Sequence, residues 1–265
     1  MNKYVVVLKM SFERAVEYRF RAFAWIIIDL IFPTILSIVF ATVVDPKQRI
    51  FGFSRSDFIL YFMLVGFFRS IVNTHNEENV NKHIKEGKIS NFLTKPISYF
   101  LFSFCTQVGW NLHKLLLNVP VFVLWFYIFS RFVRLDLEFS VSMLALPVLV
   151  VPALLCDFCY TSALSMVSFW LIESFSVFNL SSAVVYVLAG SLMPIDLLPT
   201  PLQRLSYVLP FQHIIYSPVK YSLGLLAPES FFASLLNLGI WSCAFFLIYE
   251  ILWKKGLKVY EGLGL

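Results

Sequence analysis

The sequence predicts an all-α polytopic membrane protein with six transmembrane helices, and three observations predict it. Of its 265 residues, 59% are apolar, where an ordinary soluble domain has roughly 45–50%. Charged residues make up only 14% and mean hydropathy is +0.78; a soluble domain could not hide that much apolar surface. The apolar residues also fall into continuous runs without period-two alternation, which excludes an outer-membrane barrel.

Length bounds the rest. Six spans of about 20 residues each use about 120 and leave the remainder for connections, with no room for a separate soluble catalytic domain. The net charge of +5 comes from cations scattered between the runs, which is not a nucleic-acid footprint. Three of the four cysteines lie inside apolar runs, so they do not form a disulfide framework.

Residues 1–21 come first. Leu8, Phe12, Ala15, Val16 and Phe23 recur at three- and four-residue spacing, with Lys9, Glu13, Glu17 and Arg21 on another side. That pattern reads as an amphipathic helix in the membrane interface, either a basic anchor or part of a partner's docking surface. The apolar run that follows is too long for a signal-peptide core and lacks a small-residue cleavage site, so it is expected to stay. The six spans are expected at 22–44, 56–75, 108–130, 141–163, 174–194 and 231–253. Lys114 interrupts the third, whose clean apolar run begins only at Leu115.

The bias of Lys and Arg sets orientation. With both termini cytoplasmic, the inner segments carry Lys3, Lys9, Arg14, Arg19, Arg21, Arg69, Lys82, Lys85, Lys88, Lys95, Lys254, Lys255 and Lys258. The outer ones carry Lys47, Arg49, Arg55, Arg131, Arg134, Arg204 and Lys220. The inner connection near 164–173 has neither residue, so the hairpin of spans 4 and 5 is the part that charge bias fixes least.

Two segments outside the spans stand out. Residues 76–98 lie in the most polar stretch of the chain, and Asn76–Lys85 reads as a short helix ended by Gly87. Its alternating charges suit either a solvated loop or the docking of a soluble protein. Residues 194–230 contain Pro194, Pro199, Pro201, Pro210, Pro218 and Pro228 among many apolar residues. Broken backbone at membrane depth must be covered by protein or line a cavity, which predicts a re-entrant or interfacial hairpin on the outer side.

Certain chemistries are weighed by residue. Asp29 lies four residues before Pro33 in span 1, and Asp157 lies in span 4; intramembrane carboxylates are candidates for a translocation path, or else paired structural groups. His75, Glu77, Glu78 and His83 cluster at the end of span 2, and His75 and Glu78 are spaced i,i+3. A membrane-embedded metal-dependent enzyme with its site there is the alternative function, and a non-transport scaffold is a third. Neither His-Glu-x-x-His nor Gly-x-Ser-x-Gly is present. Cys156-Asp-Phe-Cys159 sits in a span without a thioredoxin-like context. Gly87-Lys88 is followed by Ile89 and position 82 is Lys, so this is not a phosphate-binding loop. No metal, catalytic residue or cofactor is expected.

The order of these features carries a resemblance: a basic amphipathic N-terminus, six spans, Gly87-Lys88-Ile89 and Leu93-Thr94-Lys95-Pro96-Ile97 in the polar loop, and Gly190-x3-Pro194-Ile-x3-Pro199 followed by Leu209-Pro210-Phe211. The whole chain resembles the ABC-2 family of ABC-transporter permeases, with a type V exporter-like architecture. It is most similar to the bacterial branch that occurs as two related membrane subunits with an ATPase. The resemblance implies one permease domain over 1–265 that pairs with a second permease subunit, the same or different, and binds cytoplasmic ABC ATPase subunits. It implies a coupling element at Asn79, Lys82, Lys85, Glu86, Gly87 and Lys88. The outer exit would be shaped by a hairpin with Gly190, Pro194, Pro199 and Pro210. The implied role is an ATP-driven exporter subunit in the cell membrane, in contact with membrane lipids, with no nucleic acid and with ATP chemistry left to a separate subunit.

Overall fold

The computed structural model describes residues 3–45, 47–133, 146–171 and 173–260. Among them are twelve α-helices and no β-sheet: α1 Lys3–Glu17, α2 Arg19–Val43, α3 Arg55–Val72, α4 Asn76–Lys85, α5 Ser90–Leu93, α6 Tyr99–Val133, α7 Leu146–Ser165, α8 Phe175–Leu188, α9 Thr200–Val208, α10 Phe211–Ile214, α11 Tyr216–Ser222 and α12 Pro228–Val259. Five helical stretches are long and apolar enough to cross a membrane: Ala22–Val43, Arg55–Lys85 (α3 continuing through an elbow into α4), Tyr99–Arg131, Pro147–Phe169 and Pro228–Val259. The fifth predicted span, 174–194, is α8, whose 14 residues reach about 21 Å, short of the roughly 30 Å hydrocarbon core. It stops at Leu188, and not at 194, because Gly190 takes φ +77 and turns the chain. Arg134 and the first five residues of the expected fourth span, 141–145, lie outside the described residues.

α3 is the hub of the bundle. Ser54 starts it with a capping box: its hydroxyl accepts from the Asp57 N–H while the Asp57 carboxylate accepts from the Ser54 N–H. Phe58, Tyr61, Phe62, Val65 and Phe68 of α3 are buried with residues of α7, α10, α11 and α12 in one core. By contrast, α2, α6 and α12 leave most of their apolar surface open, including Ile28, Ile31 and Ile35 on α2 and Val123, Leu124 and Ile128 on α6. Surface of that kind is stable against lipid chains and not against water.

Lipid provides no hydrophobic drive between helices, so close backbone packing and hydrogen bonds must hold them together. Pro33 interrupts α2, and its ring lies on Gly66 of α3, where an added Cβ would sit 3.0 Å from Pro33 Cγ. At Gly109 of α6 an added Cβ would meet the Leu8 carbonyl oxygen at 2.8 Å. The structure also corrects the start of the third span. α1 ends at Glu17 and packs along α6, and α6 begins at Tyr99, nine residues before the expected start at 108. The added N-terminal turns of α6 are mostly apolar, with Phe100, Leu101, Phe102 and Phe104, and α1 packs along α6.

Candidate functional site

α4 is built from its sequence outward. Glu77 and Glu78 sit in its first turn and Lys82, His83 and Lys85 in its last, each sign at the end of the helix dipole that favours it. Gly87, with φ +68, closes the helix: the Gly87 N–H donates to the Ile84 carbonyl and the Lys88 N–H to the His83 carbonyl. That is a Schellman cap, and its left-handed position favours glycine. Val80 and Ile84, one turn apart, bury against Ile89, Tyr99, Ala163, Met166 and Tyr249. The opposite face leaves Glu78, Asn79, Lys82, Lys85, Glu86 and Lys88 exposed together. Five of the six predicted coupling residues therefore share one solvent face, and the sixth, Gly87, is the buried turn that ends it. Glu86 pairs with Lys82 at 3.9 Å and contacts Lys88. The hydrogen bond from Lys88 holds the Glu86 carboxyl below its ordinary pKa.

Behind this face lies a buried latch. The elbow Asn73–His75 joins α3 to α4, and at its centre the Thr74 N–H and hydroxyl both donate to Asp157 Oδ2 of α7, each at 2.7 Å. The Thr161 hydroxyl lies 2.9 Å from that of Thr74. Two residues after Thr74, Asn76 Nδ2 donates to Ser162 Oγ at 2.8 Å. Asp157, Thr74 and Asn76 are all at most 5% exposed, so these bonds are shielded from water and costly to leave unmade. Asp157 is thus committed to the elbow of α4.

A second buried set runs along α6. Gln107, Asn111, Lys114 and Asn118 follow one another at spacings of four, three and four residues, one helix stripe, and all are buried. Gln107 donates to Asn111 Oδ1 at 2.9 Å, Asn111 donates to the Ile71 carbonyl at 3.0 Å, and Asn118 donates to Ser70 Oγ. Lys114 interacts favourably with Asp29 and unfavourably with Arg69, and Arg69 lies 4.3 Å from the Tyr186 ring centroid. Asp29 is half-buried on α2 and is not brought together with Asp157: each carboxylate serves its own neighbours. The stripe was missed in the sequence reading, where Lys114 stood only as an interruption. Its signal, polar residues at i, i+4, i+7 and i+11, was present in the chain.

His75 is exposed, with Nδ1 3.7 Å from Glu77 Oε1, while Glu78 faces outward. Among the described residues no three His, Cys, Asp or Glu side chains come together as a metal-ligand set. Cys156 and Cys159 are free thiols in the core.

At the other end of α3 the proline-rich segment folds on itself. Gly190 is required twice, by its positive φ and because an added Cβ would lie 2.8 Å from the Tyr61 hydroxyl, which donates to the Gly190 carbonyl at 2.7 Å. Pro194 precedes a 3-10 turn over Ile195–Leu197, Pro199 precedes α9 and Pro210 precedes α10, all positions where a missing N–H costs nothing. Asp196 accepts from the Tyr216 hydroxyl at 2.7 Å and from Lys220 Nζ at 2.9 Å. Burial, then the bond to Asp196, raises the Tyr216 pKa. Burial lowers that of His213, which lies 3.1 Å from Ser234 Oγ, to about 4.

Known proteins were then compared with the chain. A family profile described as an ABC-2 family transporter protein matches residues 24–264. No curated protein matches it.

Proposed function

Because the chain belongs to the ABC-2 transporter family, we propose that it is the permease subunit of an ATP-driven exporter. It is a multi-pass membrane protein of a family whose permeases work with ABC ATPases and often dimerise. In this reading the whole chain acts as one permease domain in the cell membrane with both termini cytoplasmic. α1 lies in the inner interface, residues 76–98 are the coupling loop, and residues 194–230 form a re-entrant hairpin at the outer exit.

The observation that carries the reading is the exposed face of Asn79, Lys82, Lys85, Glu86 and Lys88 on a helix anchored at its base to α7. A cytoplasmic ATPase subunit docks on that face. When two such subunits close on ATP, α4 is displaced as a rigid rod, because Val80 and Ile84 bind its inner side. The displacement passes through Thr74 to Asp157 and so to α7, and directly along the chain to α3. Helices α2, α3 and α8 then rearrange around a path shared with the second permease subunit, with Asp29 on its wall. ATP hydrolysis belongs to the partner.

The test is co-purification of the tagged chain in mild detergent, followed by transport and ATPase measurements on a charge-reversed variant carrying Lys85→Glu, Glu86→Lys and Lys88→Glu. A soluble ATP-binding protein should accompany the wild type. The variant should insert normally while transport and stimulated ATPase activity fall at least about tenfold, the scale of a few lost charge-assisted contacts. Wild-type coupling in the variant overturns the assignment of α4.

A further inference from the structure

Between α1, α4 and α6 lies a cleft of about 200 Å³ that shares only Asn79 with the coupling face. α1 contributes Arg14 and Met10 to it, α4 contributes Asn79 and His83, and α6 contributes Ser103 and Thr106. No Asp or Glu lines it. Among the described residues the Arg14 guanidinium has no ion pair or side-chain hydrogen bond, whereas Lys9 on the same helix lies 3.8 Å from Glu13. His83 engages the Tyr99 hydroxyl through Nδ1 at 2.8 Å, which leaves Nε2 for another partner. A lone guanidinium at a cleft with neutral donors and no acid is a set of groups suited to an oxyanion, because Arg offers a planar fork of donors. Met10 extends the cleft with an apolar surface that is 57% exposed, on an amphipathic helix of the kind that lies in a lipid interface. Gly109 makes the site, since a larger residue there would push α1 off α6.

We propose that this cleft binds a phosphate ester, the headgroup of an anionic phospholipid. Arg14 is its counter-ion, Asn79 and His83 donate from α4, and the acyl chains leave across Met10. A lipid held there ties α1 to α4. The consequence for coupling rests on the reading of α4 above; the binding itself does not, and it is measured on the isolated chain without ATP or partner.

The experiment is native mass spectrometry of the purified full-length chain with phosphatidylglycerol, phosphatidylcholine or soluble glycerol 3-phosphate. One phosphatidylglycerol should be retained per chain, about tenfold more tightly than phosphatidylcholine. Arg14→Gln should lose that preference, Arg14→Lys should keep part of it, and Lys9→Gln, an equal loss of charge outside the cleft, should change it less than about twofold. Asn79→Asp, which places a carboxylate in the cleft, should expel the lipid. Equal losses for Arg14→Gln and Lys9→Gln would reduce the effect to diffuse surface attraction and overturn the site, as would no preference at all. Displacement of phosphatidylglycerol by glycerol 3-phosphate at equal concentration would overturn the lipid assignment in favour of a soluble phosphate ester.

Discussion

The two ends of α3 hold a buried or half-buried carboxylate each, in opposite ways. At its C-terminal end Asp157 accepts from two neutral donors, the N–H and hydroxyl of a residue 83 positions away on another element. At its N-terminal end Asp196 is paired with Lys220 and Tyr216, both within the same proline-rich segment. The first joins two parts of the molecule; the second closes one part on itself. A latch of neutral donors can re-form in a shifted position at modest cost, whereas a desolvated ion pair that separates leaves two uncompensated charges. On the function proposed above, the α4 end would transmit movement and the proline end resist it.

The comparison can be broken most sharply at the latch. Asp157→Ala leaves the Thr74 N–H buried without an acceptor and its hydroxyl with only Thr161, which should destabilise the protein by about 3 kcal/mol. Asp157→Asn retains an acceptor and should lose much less. Thermal melting in detergent, with hydrogen exchange over residues 73–76, checks both, and equal melting for wild type and Asp157→Ala would remove the latch from the account. At the proline end Lys220→Ala should cost about 2 kcal/mol, less than a fully buried pair because Lys220 and Asp196 keep 13% and 18% of their side-chain surface exposed. Its damage should stay within residues 190–227 when exchange is mapped, whereas that of Asp157→Ala should reach α4 and α7.

A pH titration sharpens the contrast further. His213 has a folded pKa of about 4, below its unfolded value of about 6.5, so the unfolded chain takes up the proton first. Its contribution is complete above about pH 6.5 and is lost as pH falls toward 4, by up to about 3 kcal/mol. His213→Asn should flatten that part of the melting curve, and an unchanged slope would refute it. The smallest effect on stability belongs to the exposed α4 face. Glu86→Gln should leave the melting temperature essentially unchanged, because its partners Lys82 and Lys88 are solvated. A larger shift would mean that this face is part of the fold and not free for a partner.

The legibility of these features in the chain differed by their range. The short α4 helix and its stop at Gly87 were readable because a Schellman cap and dipole-matched charges are properties of neighbouring residues. The end of α8 was misplaced by six residues, since Ala189–Pro194 continues the apolar composition and only the turn at Gly190, fitted against Tyr61, breaks the helix. The stripe Gln107, Asn111, Lys114 and Asn118 had the right period but lay largely inside the expected span 108–130, where Lys114 counted only as an interruption.

The sequence by itself determined the membrane solvent, the helical class, the family resemblance and the polar face of α4. The resemblance rests on the order of short motifs along the chain, and the rest follow from composition and local periodicity, which no fold can alter. Only the tertiary structure decided what the buried polar groups do. Asp157, a candidate for a path by its position in a span, meets Thr74 from across the bundle, and Arg14 finds a cleft through a helix crossing at Gly109. A buried polar group must be satisfied by whatever the fold brings beside it, and that neighbour can lie anywhere in the chain.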